Sequence, residues 1–179
     1  MAIGRILNIG SASGGGHSVS KFYLVNDGVL QDGFHSITKQ SVGSFTGVGL
    51  SVGIDEGKGI WFNAEITSEN YNSTYLTIAF DRAVDVTDYN YLSAKLTVQV
   101  NTGNGVVLQV GLSDTASGTS NIFTTYKQVT NINKTDYSVN TIYLDLDISQ
   151  ITGKKFIKIL FKIKGGVGYV TTPTIALEK

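Results

Sequence analysis

Two stretches decide the fold: Thr141-Ile142-Tyr143-Leu144-Asp145-Leu146-Asp147-Ile148 and Ile157-Lys158-Ile159-Leu160-Phe161-Lys162-Ile163-Lys164. In the first, Ile142, Leu144, Leu146 and Ile148 alternate with Thr141, Tyr143, Asp145 and Asp147. In the second, Ile157, Ile159, Phe161 and Ile163 alternate with Lys158, Lys162 and Lys164, apart from Leu160. Successive side chains of a strand point to opposite faces of a sheet, so a period of two separates a buried face from a solvated one. Both stretches read as strands of antiparallel sheets with one wet side, and the three lysines are expected in water.

The same period recurs along the chain. Phe22 and Leu24 alternate with Lys21, Tyr23 and Val25, and Asn26-Asp27-Gly28 then supplies a tight turn. Ile60, Phe62, Ala64 and Ile66 alternate with Trp61, Asn63 and Glu65, and Leu76, Ile78 and Phe80 with Tyr75, Thr77 and Ala79. Leu92, Ala94, Leu96, Val98 and Val100 form a long inward row, followed by the turn Asn101 to Gly105 and by Val106, Leu108, Val110 and Leu112. A last strand is expected over Ile175 and Leu177, with Pro173 at its start, where a missing N–H is tolerated. No amphipathic helix is visible, and Asp147 to Thr152 has room for a single turn. Roughly ten short strands separated by Gly, Asn, Asp and Ser predict an all-β, two-sheet antiparallel jelly-roll sandwich over residues 17–179. Residues 1–16 read as an extended arm, with apolar Ile3, Ile6, Leu7 and Ile9 before the flexible Ser11-Ala12-Ser13-Gly14-Gly15-Gly16. The arm is expected to dock onto a neighbouring subunit.

Composition narrows the function. The 179 residues contain no cysteine, so neither a disulfide framework nor a thiolate metal site is available. Lys and Arg total 14 and Asp and Glu also 14. A nucleic-acid binder needs an excess of positive charge to displace counterions, which this balance does not supply. Neutrality also does little to oppose self-association, which suits a homo-oligomer or a subunit of a larger assembly. No apolar run reaches the roughly 20 residues of a membrane-crossing helix, so no membrane insertion is expected. The opening Met1 to Asn8 lacks a cationic segment followed by an apolar run, so the expected way out of the cell is assembly into a virus particle, not secretion.

Catalytic signals are sparse. His17 and His35 have no partner at metal-ligand spacing, and neither a nucleophile elbow nor a phosphate loop occurs. Asp145 and Asp147 lie on one strand face about 7 Å apart, inside the range of paired glycosidase carboxylates, but alternating acids on a wet face are ordinarily solvation. No enzymatic activity and no cofactor are expected. Asp55, Glu56, Asp81, Asp85 and Asp88 could offer oxygen ligands to a structural calcium ion, although no calcium loop pattern is present. Asn72-Ser73-Thr74 and Asn133-Lys134-Thr135 are sequons that matter only in a secretory pathway.

The outward aromatics carry more information. Trp61 opposes Ile60 and Phe62 in the alternation, and Tyr23, Tyr75 and Tyr143 are placed likewise. A flat ring beside Asn63 and Glu65 can stack on a sugar while the polar neighbours bind hydroxyls. It could equally anchor a protein interface, or lie in a core if the strand is covered on both sides.

Tyr23-Leu24-Val25-Asn26-Asp27-Gly28-Val29-Leu30-Gln31-Asp32-Gly33 resembles the opening of minor structural and tail domains of phages that infect Gram-positive bacteria. Ala83-Val84-Asp85-Val86-Thr87-Asp88-Tyr89-Asn90-Tyr91-Leu92 is similar to the segment that leads into their central strand. Val110-Gly111-Leu112-Ser113-Asp114 and Leu144-Asp145-Leu146-Asp147-Ile148 before Thr152-Gly153-Lys154 resemble later landmarks. Gly33-Phe34-His35 departs from the Gly-Gly-Trp of that pattern. The resemblance, over roughly residues 20–179, implies a carbohydrate-binding-module-like jelly roll on the virion exterior. It implies a non-enzymatic role on the tail or baseplate, with other virion proteins and host-surface glycan as partners. Capsid decoration and a carbohydrate-binding module of a bacterial glycan-degrading system remain open alternatives. On the fold reading, Leu146→Ala is expected to cost about 2–5 kcal/mol in a thermal or denaturant melt.

Overall fold

The computed structural model describes residues 20–31, 33–34, 37–42, 48–66, 75–101, 106–116, 123–130, 132, 138–163 and 166–179. The expected arm with Ile3, Ile6, Leu7 and Ile9, both histidines and both sequons lie outside these residues. The described strands are β1 (Lys21–Asn26), β2 (Val29–Leu30), β3 (Ile37–Val42), β4 (Val48–Asp55), β5 (Gly59–Ile66), β6 (Tyr75–Phe80), β7 (Val84–Asp85), β8 (Tyr91–Asn101), β9 (Val106–Ser113), β10 (Thr125–Val129), β11 (Val139–Asp147), β12 (Lys154–Ile163) and β13 (Gly166–Glu178). The described residues contain no helix.

The strands form two antiparallel sheets, so the chain is the all-β sandwich that its alternation predicts. One sheet runs β11-β8-β13-β1-β2, with β5 also on β13 and β4 on β5. The other runs β10-β9-β12-β6-β3, with β7 on β12. The inward rows meet between them. Leu92, Leu96, Leu108 and Leu112 have no exposed surface, and Phe62 of the first sheet meets Phe161 of the second at 5.7 Å between ring centroids. Phe34, at the position of the Gly-Gly-Trp departure, is core: it packs edge-on against Phe80 at 5.7 Å and Phe22 at 5.9 Å. Leu144 and Leu146 are buried, and Tyr143, Asp145 and Asp147 opposite them are exposed.

Strand β13 joins the first sheet together. Along one edge it pairs with β8; along the other it pairs with β5 near its start and with β1 near its end. The handover falls at a bulge between Thr171 and Thr174. There the wholly buried Thr172 turns inward, its hydroxyl donating to the Ile60 carbonyl (3.1 Å) and accepting from the Ile60 amide (3.0 Å). Pro173 therefore sits inside a thirteen-residue strand and not at its start. A bulge is one of the few interior places where a missing N–H costs no ladder bond. Its carbonyl accepts from the amide of Gly28, whose own carbonyl accepts from Gly59 N, both at 2.8 Å. Asp27 and Gly28 have φ of 47° and 77°, the left-handed pair that a type I′ hairpin needs. A side chain at Gly28 would lie 2.1 Å from Gly57 C, so glycine is also demanded by space.

Two expected orientations fail for identifiable reasons. Val25 is buried beside Leu24 because the β1–β13 register shifts between Tyr23 and Val25, which turns two consecutive side chains inward. Lys158 is 2% exposed, not solvated, because the outer face of β12 is itself covered: Leu160, Thr77 and Ala79 on that face are buried too. At the rim, Lys21 ion-pairs with Glu178 at 2.7 Å and Ser93 donates to the same carboxylate at 2.5 Å, tying β1, β8 and β13 together.

Candidate functional site

The outer face of the seven-stranded sheet carries Trp61, Asn63 and Glu65 on β5, because Ile60, Phe62 and Ala64 point into the core. Trp61 is half-buried, and Asn63 and Glu65 are exposed. What seats the indole is the residue paired with it. Trp61 lies opposite Gly53 of β4, and a β-carbon there would come within 2.5 Å of the indole Cζ2 and 2.8 Å of Nε1. Gly53 thus lets the ring settle on the backbone of β4. On its other side stands Tyr169 of β13, 6.3 Å between centroids and tilted by 32°. The two rings form one aromatic surface with a polar rim of Ser51, Asn63 and Glu65.

Charge sits at one end of this surface. Lys58 is 3.3 Å from the Asp55 carboxylate, and that bond, with the Tyr169 phenol close by, holds the ammonium pKa above its ordinary value. The indole Nε1 is buried and has no hydrogen-bond partner among the described residues. An unmade bond of this kind costs about 1–3 kcal/mol, so a tryptophan placed only to fill space is a poor choice here.

The remaining aromatic candidates do not converge on Trp61. Tyr143 is 68% exposed on the outer strand β11, in a row with Lys95 and Thr174; Tyr23 is half-buried in a row with Ala176, Ser93 and Asp145. These rows share the face of Trp61 but lie beyond the β13 bulge. Thr174 is five residues from Tyr169, about 16 Å along an extended strand. Tyr75 belongs to the other sheet, where its backbone pairs with Lys162 and Val42. Tyr169 was not among the sequence candidates. Its signal, Tyr169 and Thr171 alternating with Gly168 and Val170, is masked by the glycines before it.

Two of the carboxylates cap their own turns. Asp147 caps the turn that follows it, accepting from Ser149 N at 2.9 Å and Ser149 Oγ at 2.7 Å; these bonds hold its pKa below the ordinary value. Asp85 does the same with Thr87. Among the described residues no three His, Asp or Glu side chains converge on a point where a metal could bind.

The sequence matches no family model and no curated protein sequence. Among solved structures the chain is similar to the Endo-D glycoside hydrolase domain of Streptococcus pneumoniae R6 (TM-score 0.51, 14% identity, 79% of this chain and 21% of that one). It is similar to the carbohydrate-binding module CBM4 (TM-score 0.50, 10% identity, 88% of this chain and 95% of that one). A third is the enzymatically active domain of tailspike protein 4 of bacteriophage CBA120 (TM-score 0.48, 11% identity, 82% and 20%). The chain thus spans about a fifth of the first and third proteins and nearly all of the second. At these identities the likeness is one of fold, and that fold is the jelly-roll sandwich that CBM4 also has.

The seating of the indole is directly testable, because Trp61 is the one tryptophan of the chain. Gly53→Val is expected to lift the ring from β4 and shift its fluorescence emission to the red. An unchanged spectrum in a folded variant would show that Gly53 does not position it.

Proposed function

We propose that this chain is a non-catalytic glycan-binding module displayed on the exterior of a phage particle, on its tail or baseplate, with Trp61 and Tyr169 as the sugar platform. The observation that carries the glycan part is the posture of Trp61. It is a ring laid flat by a glycine, paired with a second ring and rimmed by the exposed amide of Asn63 and the carboxylate of Glu65. A pyranose offers a C–H face to such rings and hydroxyls to such a rim, and pockets of this kind combine apolar contact with a few placed polar groups. The fold shared with CBM4 over nearly its full length supports the same reading. The phage setting rests on the resemblance of residues 23–33 and 83–92 to virion domains.

A second reading uses the same surface. As a module beside a glycan-degrading enzyme, the chain would hold polysaccharide for a catalytic partner; its likeness to part of the Endo-D chain favours this over head decoration.

A glycan array or affinity gel probed with the parent and with Trp61→Ala tests the platform. The expected result is retention by the parent and a loss of about tenfold or more in the variant, with the melting temperature little changed. Equal signals remove Trp61 from the site. Deletion of residues 1–13 tests the particle: the truncated chain is expected to fold and to be missing from purified virions, and normal incorporation refutes arm docking.

A further inference from the structure

The seven-stranded sheet ends in β11, which has one sheet partner among the described residues, β8. The pairing is unbroken over all nine residues, from Val139 opposite Gln99 to Asp147 opposite Tyr91. Every second residue of such an edge strand turns its N–H and C=O away from the sheet, ready for another strand. Proteins blunt their edges with lysine, proline, a bulge or brevity. Here β10 carries Lys127, β3 carries Lys39, β2 has two residues, and β4 is interrupted by Gly49 and Gly53. β11, Val-Asn-Thr-Ile-Tyr-Leu-Asp-Leu-Asp, has none of these devices.

The surface at this edge is apolar as well as open. On the outer face Tyr143 is 68% exposed and Val139 60%, and Tyr91 on the neighbouring strand is 47% exposed. On the inner face Ile142 is only half-buried, although Leu144 and Leu146 are covered. The charges say what fits against it. Both acids, Asp145 and Asp147, lie in the C-terminal half of the strand, and the N-terminal half has none. A second copy of β11, laid antiparallel with Tyr143 opposite itself, sets Asp145 against Thr141 and Asp147 against Val139. Ile142 then faces Leu144 of the second copy, and the two Tyr143 rings meet on the twofold axis. Centring the pair on Asp145 would oppose that acid to itself, and a parallel, in-register pair would face each acid with its own copy. Like charges directly opposite destabilise a ladder, so one register is favoured over its neighbours.

We propose that β11 is the interface of a twofold-symmetric homodimer, in which the seven-stranded sheets of two copies join edge to edge through Tyr143. The same strand serves both sides, as an isologous contact requires. β5, with Trp61, stands three strands from this edge. The dimer therefore carries two Trp61 surfaces, and the interface does not depend on what they bind.

The test is sedimentation velocity of the full chain over a wide range of concentration. The parent is expected to reach the mass of two chains. Tyr143→Lys, which sets two like charges face to face, should weaken association about tenfold or more, and Tyr143→Glu should do the same. An equal mixture of Tyr143→Lys and Tyr143→Glu should regain the dimer, because only a residue that faces its own copy can be rescued in that way. Tyr143 is exposed, so both variants are expected to keep the melting temperature of the parent. The chain has no cysteine, so Tyr143→Cys supplies a clean cross-link. Residues directly opposite in an antiparallel pair lie within disulfide reach, and mild oxidation should join two copies there. Asn63→Cys, on the Trp61 surface, should stay unlinked. A parent that sediments as one chain at every concentration overturns the proposal. So does a dimer undiminished in both charge variants, or one that Asn63→Cys links as fast as Tyr143→Cys.

Discussion

One strand edge that must serve two partners governs this molecule. β13 accepts β5 along one part of its length and β1 along the other, and a regular ladder cannot do both without a break. The break is made good by the Thr172 hydroxyl, which donates to one backbone group of Ile60 and accepts from the other. Unpaired peptide groups in such a position would cost about 1–3 kcal/mol each. Pro173 removes the N–H that would otherwise be orphaned, and its carbonyl is taken by Gly28. Because β5 starts at this junction, the direction of Ile60, and with it that of Trp61 on the opposite face, is set there.

The fold was legible wherever alternation was undisturbed. Leu92 to Val100, Val106 to Leu112 and Ile142 to Ile148 take the faces their period requires, because each has a straight partner on at least one side. The period fails where register shifts. Val25 turns inward at one irregularity, and Pro173 lies within a strand at another; a bulge adds a residue to one strand in response to its neighbour, and nothing local announces it. Lys158 is a different case. Lysine among isoleucines ordinarily marks the wet face, and only the burial of Thr77, Ala79 and Leu160 around it shows that this face is covered.

The candidate surface was legible in part for the same reason. Trp61, Asn63 and Glu65 share a face because they are alternate residues of one strand. Their companion Tyr169 is 108 positions away in sequence, and its contact with Trp61 depends on how β13 is shared. Tyr143 and Tyr23 satisfy the same alternation but lie past the bulge. Period reports a side of a sheet; position along that side comes from pairing.

The ion pair between Lys21 and Glu178 closes a loop of 157 residues, and β1 finds its main partner only in β13. Few contacts here are local. Such topology places loop-closure entropy ahead of the reward from pairing, and sandwiches of this kind fold in milliseconds to seconds where helical bundles take microseconds to milliseconds. The apolar inner face of β1, with Leu24 and Val25, gains its main cover only when the far end of the chain pairs with it.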